Sequence, residues 1–156
     1  ANVAALGEVW KGGGRGFDDV LMITIGTGIG GGLILNGKIH GGVTGSAAEV
    51  GHICVNPLET EHCNCGNCGC LEQYTSATGI LRLAMGMALA GCCALADMEL
   101  ILIGGGVSKA GRFLTDPIEE YFRKFAFHTQ KDTKFKLAEL GNDAGIYGAA
   151  RMMIHD

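Results

Sequence analysis

The chain has no surplus of positive charge and no long apolar run, and these two absences narrow its possible roles before any motif is read. Twelve basic residues stand against sixteen acidic ones, so nucleic acid or an anionic membrane makes a poor main partner for this mildly acidic surface. The longest apolar stretch, around Met85 to Ala96, contains glycine and is too short to span a bilayer. No segment reads as a signal peptide and the seven cysteines are an odd number, which disfavours a disulfide framework and sets the expectation of a reducing, cytoplasmic compartment.

What is abundant is glycine: 27 residues, about double the usual share. The glycines cluster instead of recurring with a period, so collagen and low-complexity readings fail and glycine-rich loops remain. At 156 residues there is room for one domain with a core, or for one lobe of something larger. The chain starts on Ala1 in what reads as mid-helix, so a segment ahead of it is expected to be missing.

Taken in order, Ala1 to Trp10 is helix-like and is stopped by Gly12, Gly13 and Gly14. Asp19 to Ile25 reads as a buried strand, the glycine loop GTGIGGG (26–32) follows, and Leu33 to Leu35 resumes as strand. Asn36-Gly37 then predicts a tight hairpin returning through Lys38 to His40, an antiparallel start. The second half alternates: Leu71 to Ala96 helical, Glu99 to Ile103 a strand, GGGVSKAG (104–111), Phe113 to Phe127 an amphipathic helix, Phe135 to Leu140 a strand. Asp116-Pro117 falls near a helix start, where proline is tolerated. Asn142 or Asp143 should cap a last helix running through Met153. This spacing predicts an α/β lobe, a sheet flanked by helices.

The run Glu49 to Glu72, EVGHICVNPLETEHCNCGNCGCLE, carries the chemistry. One histidine with three thiolates is a closed, structural zinc set, and His52, Cys63, Cys65 and Cys70 supply it, with Cys68 the alternative to Cys70. Both sulfurs of a Cys-x-Cys pair reach one ion only if the backbone curls, which Gly66, Asn67 and Gly69 allow. Buried hydrophobic cysteines are the bland alternative; the interleaved His62, Asn64 and Asn67 argue against it. A free-standing zinc ribbon for nucleic acid is disfavoured by the acidic balance and by a single CxC in place of two CxxC knuckles. Glu49 and Glu72, on residues alone, read as solvated charges at helix ends.

The glycine loops are candidate ligand sites. GTGIGGG exposes consecutive backbone N–H groups beside the Thr27 hydroxyl and could hold phosphate oxygens. It has no Walker lysine and leads into a strand, so neither the P-loop nor the Rossmann fingerprint fits. GGGVSKAG leaves the carboxyl end of a strand, the usual ligand position in an α/β sheet. Each could equally be a turn demanded by packing.

Together ANVAALGEVWKGGG, ITIGTGIGGGLILNGKI, GSAAEVGHI, CNCGNCGCLEQYTSATGI, LIGGGVSKAG and AELGNDAGIYGAA, in that order, resemble the ROK family of bacterial sugar kinases and repressors, most nearly its ATP-dependent glucokinases. The resemblance covers nearly the whole chain. It implies an actin-like (ribonuclease H-like), two-lobed ATPase fold, of which residues 1–156 would be the carboxyl-terminal large lobe, and a role in glycolysis through transfer of the ATP γ-phosphate, with magnesium, to glucose. A kinase for fructose, mannose or N-acetylmannosamine, or a sugar-responsive repressor, are the alternatives. It implies that Glu49, His52 and Glu72 meet the sugar hydroxyls, that Thr27, Gly28 and Gly30 lie on the phosphates, that Gly105, Gly106 and Val107 lie near adenosine, and that the protein is a homodimer. His52 would then face zinc with one ring nitrogen and sugar with the other.

Two departures from the family pattern accompany the match. The family's catalytic aspartate belongs to an Asn-Asp pair just ahead of the residues matched by Ala1-Asn2-Val3, and the amino-terminal lobe with its Asp-x-Gly-Gly-Thr loop is also absent, so no catalytic residue is assigned and the chain alone is expected not to turn over. The family also carries extra helices between segments that here run together near Ala84-Met85. Asn142-Asp143-Ala144 imitates the missing pair, but reads as a helix cap.

Overall fold

A computed structural model describes residues 1–74, 78–106 and 111–154. Five strands form one mixed sheet in the order β3-β2-β1-β4-β5. They are β1 Val20–Ile25, β2 Ile29–Leu35, β3 Lys38–Ile39, β4 Leu100–Gly104 and β5 Lys134–Leu137. β1 pairs antiparallel with β2 and parallel with β4, and β5 continues the parallel side. Asn36 and Gly37 both take positive φ, 51° and 70°, giving the predicted hairpin between β2 and β3. Its corner is held from outside, where the Asn36 N–H donates to Asp19 Oδ1 at 2.8 Å and the Gly37 N–H to Asp18 O at 2.9 Å.

Helices cover both faces of the sheet because its central strands are apolar on both. Leu21, Ile23 and Ile25 of β1, with Ile101 and Ile103 of β4, are packed in one core with Met85, Leu89, Ile118 and Phe122 of α2 (Thr78–Ala96) and α3 (Arg112–Phe125). Val20, Met22, Leu100 and Leu102 point the other way, onto Ala5, Leu6 and Val9 of α1 (Asn2–Lys11). The last helix, α4 (Ala144–Met153), crosses α1 at glycine: a Cβ at Gly148 would lie 1.7 Å from Val3 O, and one at Gly7 2.1 Å from Ala144 O. Among the described residues no helix is long and apolar enough to cross a membrane.

The structure moves several predicted boundaries. β2 begins at Ile29, so Gly30, Gly31 and Gly32 are strand residues and the glycine loop shrinks to residues 26–28. Close approach explains them: a Cβ at Gly31 would sit 2.0 Å from Ala48 O, and one at Gly32 2.8 Å from the Ala1 backbone. The stretch read as one helix from Leu71 divides into a 3₁₀ turn, Leu71–Tyr74, and α2, which runs unbroken through Ala84 and Met85. α3 starts one residue before the expected Phe113 and ends at Phe125, two residues before the expected Phe127; Pro117 is its sixth residue, in the second turn. α4 starts where expected, with Asp143 at the cap position, but no side-chain hydrogen bond caps it; a 3₁₀ turn, Gly141–Asp143, leads in instead.

Candidate metal and ligand site

The segment from Glu49 to Glu72 has little regular structure and is organised by short-range bonds. A 3₁₀ turn at Val50–His52 opens it, and isolated antiparallel bridges join Cys54 to Cys70 and His62 to Cys68. The Val55 N–H donates to Gly69 O at 2.8 Å and the Leu71 N–H to Ile53 O at 2.9 Å, clamping the first bridge. The second is curled by Cys63 N–H to Asn67 O at 2.7 Å and Gly66 N–H to Cys63 O at 2.9 Å. Gly66 and Gly69 supply the curl with φ of +92° and +72°, where a side chain is strained.

This folding brings the four predicted ligands together. One donor atom from each of His52, Cys63, Cys65 and Cys70 lies within 4.8 Å of all the others. Cys63 Sγ is 3.6 Å from His52 Nδ1, and Cys65 Sγ is 3.5 Å from Cys70 Sγ. Ligands about 2.0–2.3 Å from a tetrahedral ion are separated by roughly 3.3–3.8 Å, so these two pairs have the spacing of a closed four-coordinate metal, and the set as a whole needs only small closing movements to reach it. Cys68 is excluded from it; its Sγ lies 3.4 Å from His62 Nδ1 instead.

The three thiols differ in how readily they ionise. Burial, then hydrogen bonding with Cys65 and Cys63, pushes Cys70 up to about 12. The Asn67 backbone N–H holds Cys65 below the ordinary thiol value. For Cys63 the Cys65 backbone N–H pulls downward, but the hydrogen bond to Glu72 and burial outweigh it and the thiol sits above the ordinary value. Without an ion, then, Cys65 is the readiest thiolate and Cys70 the least ready.

Glu72 links this set to the first glycine turn. Its Oε1 accepts from the Cys63 thiol at 3.0 Å and stands 3.6 Å from His52 Nδ1. Its Oε2 faces Gly28, where a Cβ would lie 3.1 Å away. Thr27, His62, Cys63, Asn64, Glu72 and Gln73 line a cleft of about 190 Å³. Glu49 is exposed at the start of the Val50–His52 turn and is not in the cleft lining; of the three predicted sugar residues the structure joins His52 to Glu72, 3.6 Å apart, and Glu72 lines the cleft.

β1 and β4 are parallel neighbours, so the turns after them, 26–28 and 105–106, leave the same end of the sheet. Gly105 has φ of +90°, and a Cβ there would lie 2.4 Å from Ile25 O, which fastens the second turn to the end of β1. Gly30 is the second residue of β2, beyond the first turn, and its carbonyl accepts from Thr24 Oγ1 at 3.3 Å. Val107 lies outside the described residues. A larger hollow of about 610 Å³ between α3 and β5, lined by Arg112, Asp116, Lys136 and Glu139 among others, includes none of the predicted ligands.

Glu8 has a structural role that the sequence barely signals. It is fully buried in α1, and its carboxylate accepts from the N–H groups of Gly13, Glu139 and Leu140 at 2.8, 3.0 and 2.7 Å. This staples the loop after β5 to the glycine stop of α1. The available signal was slight: a carboxylate within an apolar helical pattern just before three glycines.

Comparison with known proteins gives a consistent result. A model described as the ROK family matches residues 1–87 and 81–156. A glucokinase of Halalkalibacterium halodurans is 40% identical over 197 residues, covering 95% of this chain and 60% of the relative. The crystal structure of a ROK family glucokinase from Streptomyces griseus in complex with glucose and AMPPNP superposes with a TM-score of 0.85 at 32% identity, over 97% of this chain and 65% of that one. A ROK family transcriptional regulator, a homolog of the E. coli MLC protein, superposes with a TM-score of 0.83 at 27% identity, over 96% and 49%. The chain thus spans about 60% of the glucokinase it matches. That alignment of 197 positions exceeds the 156 residues of the chain, so the relative carries residues within the matched span that this chain lacks.

Proposed function

The chain belongs to the ROK family, and we propose that it is the sugar- and nucleotide-binding lobe of an ATP-dependent glucokinase with the actin-like fold. The observation that carries this reading is the meeting of Gly28 with Glu72. A turn suited to phosphate oxygens abuts a carboxylate suited to sugar hydroxyls, and phosphoryl transfer to a sugar needs these two ligands in contact. Thr27 and the backbone N–H groups of Thr27 and Gly28 hold the phosphates, the Gly26 N–H being donated to Gly28 O at 2.9 Å, with magnesium balancing their charge; the turn at Gly105 and Gly106, at the same end of the sheet, approaches the adenosine. Glu72, with Glu49 and His52, takes the sugar hydroxyls, each carboxylate accepting up to two.

Zinc is the ion that three thiolates and an imidazole fit, and bound at His52, Cys63, Cys65 and Cys70 it would brace the loop without entering bond making. The Cys63 thiol now donates to Glu72. As a metal-bound thiolate it has no proton to give, which leaves Glu72 Oε1 open to a sugar hydroxyl. The family's catalytic aspartate has no counterpart in these 156 residues, so the reading assigns this chain binding and not turnover. This reading puts the additional residues of the relatives near 84–85, and the overlap of the two matched segments over residues 81–87 supports it.

Glucose should bind the zinc-loaded chain, as measured by calorimetry, and Glu72→Gln should weaken it at least tenfold, the order expected on losing a charged hydrogen-bond acceptor. Equal affinity of the two forms would sink the assignment. A sugar-responsive repressor is the second reading, favoured by the likeness to the transcriptional regulator. Binding of AMPPNP that is lost in Thr27→Ala and Gly28→Ala separates the kinase from it.

A further inference from the structure

The hairpin that carries Cys63 and Cys65 has a second face. His62 and Cys68 are cross-strand partners in the antiparallel bridge, and directly opposed residues project to the same side. Cys68 Sγ lies 3.4 Å from His62 Nδ1 and 3.8 Å from Thr60 O, and the same His62 nitrogen lies 3.3 Å from Gly66 O. These separations match the 3.5 and 3.6 Å found between donors in the buried set. The environment is more open: His62 and Thr60 are exposed and Cys68 is half-buried, whereas in the first set Cys63 and Cys70 are enclosed, His52 is half-buried and Cys65 is exposed.

A thiol and an imidazole together discriminate by softness. They favour zinc-like and softer ions over magnesium or calcium, which take oxygen ligands. Two side-chain donors, with backbone carbonyls beside them and water to complete the shell, bind more weakly than a closed four-ligand set. We propose that His62 and Cys68 form a second, solvent-facing site for a thiophilic divalent cation of the Zn²⁺ or Cd²⁺ type, separate from the site of His52, Cys63, Cys65 and Cys70. The competing account is a thiol–imidazole hydrogen bond that only closes the hairpin. That account ties the pair to local stability and gives the chain one metal, not two.

Cobalt titration of the reduced 156-residue chain distinguishes them, because each Co²⁺–thiolate contact adds a charge-transfer band. The expected result is two classes of bound Co²⁺, a tight one and a weaker one. His62→Ala and Cys68→Ser should each abolish the weaker class and leave the tight class intact, while Cys70→Ser should disrupt the tight class. A single class in the unmodified chain overturns the proposal, and so does a weaker class that survives His62→Ala. If Cys68→Ser were to disturb the whole loop and remove both classes, His62→Ala, which leaves every thiol in place, still decides by the same criterion. A tight class that survives Cys70→Ser would count against the set of His52, Cys63, Cys65 and Cys70 and leave the exposed pair standing, so the two assignments fail separately.

Discussion

Single glycines do unequal work at the ligand end of the sheet, and the difference can be measured. Gly105 sits at φ +90° with the Ile25 carbonyl 2.4 Å from where a Cβ would be, while Gly106, one residue on, has open space at that position. Gly105→Ala must therefore enter the left-handed region and displace the end of β1, costing about 2 kcal/mol or more; Gly106→Ala should fall within about 0.5 kcal/mol of the unmodified chain. Urea unfolding of both variants checks this, and equal midpoints would mean that the second turn is not fastened to β1. The glycine-rich sequence announced such turns but did not rank their members, because the rank depends on which backbone happens to lie opposite. The metal ligands were legible for a different reason. Their chemistry is local, and a Cys-x-Cys with glycine after it has few ways to reach one ion. The pairing of His62 with Cys68 was not legible, because the two meet only once the hairpin register is known.

Among the elements, β2 and the α1–α4 crossing show where sequence pattern stopped. Gly30, Gly31 and Gly32 read as loop, since glycine weakens a strand interior, yet they pair with Thr24, Ile23 and Met22 of β1, and glycine is needed there because Ala48 lies close over Gly31 on one face and Ala1 over Gly32 on the other. The apolar strands β1 and β4 and the Asn36-Gly37 hairpin were legible because a buried strand or a two-residue turn has one dominant sequence solution. The crossing was not, since Gly148 and Val3 are 145 positions apart and only the fold brings them together. It carries a sharp test. Replacing Gly148 by alanine in an exposed helix would gain about 1 kcal/mol of propensity, but here the added methyl meets Val3 O at 1.7 Å. The overlap should win, with α4 pushed off α1 and a net loss of about 2 kcal/mol. A Gly148→Ala variant melting at or above the parent temperature would show that the two helices do not pack at this point.

At the scale of the molecule, the sheet and its two helical layers can form without a metal, but the loop of residues 49–72 is held by few buried apolar side chains and depends on its ligands. Binding zinc at 1,000 times its dissociation constant should add about 4 kcal/mol, roughly a ten-degree rise in melting temperature for a chain of this size. The pH dependence should differ in sign between the two forms. In the chelated chain the buried Cys70 thiol is held up to about 12, and Cys93, also raised by burial, to about 11. Both folded values lie above the unfolded thiol range, so the stability they contribute is complete below about pH 8.5 and is lost as pH rises from there through 11 and 12. In the zinc-loaded chain Cys70 is already a thiolate, its share of that alkaline loss disappears, and only the Cys93 share remains. Loading must instead expel thiol protons, so zinc affinity should fall as pH drops below neutrality. Melting curves from pH 6 to 10.5, with zinc and with chelator, should therefore converge at the acid end and diverge with rising pH. Parallel curves across that range would mean that Cys70 gives up no proton to the ion.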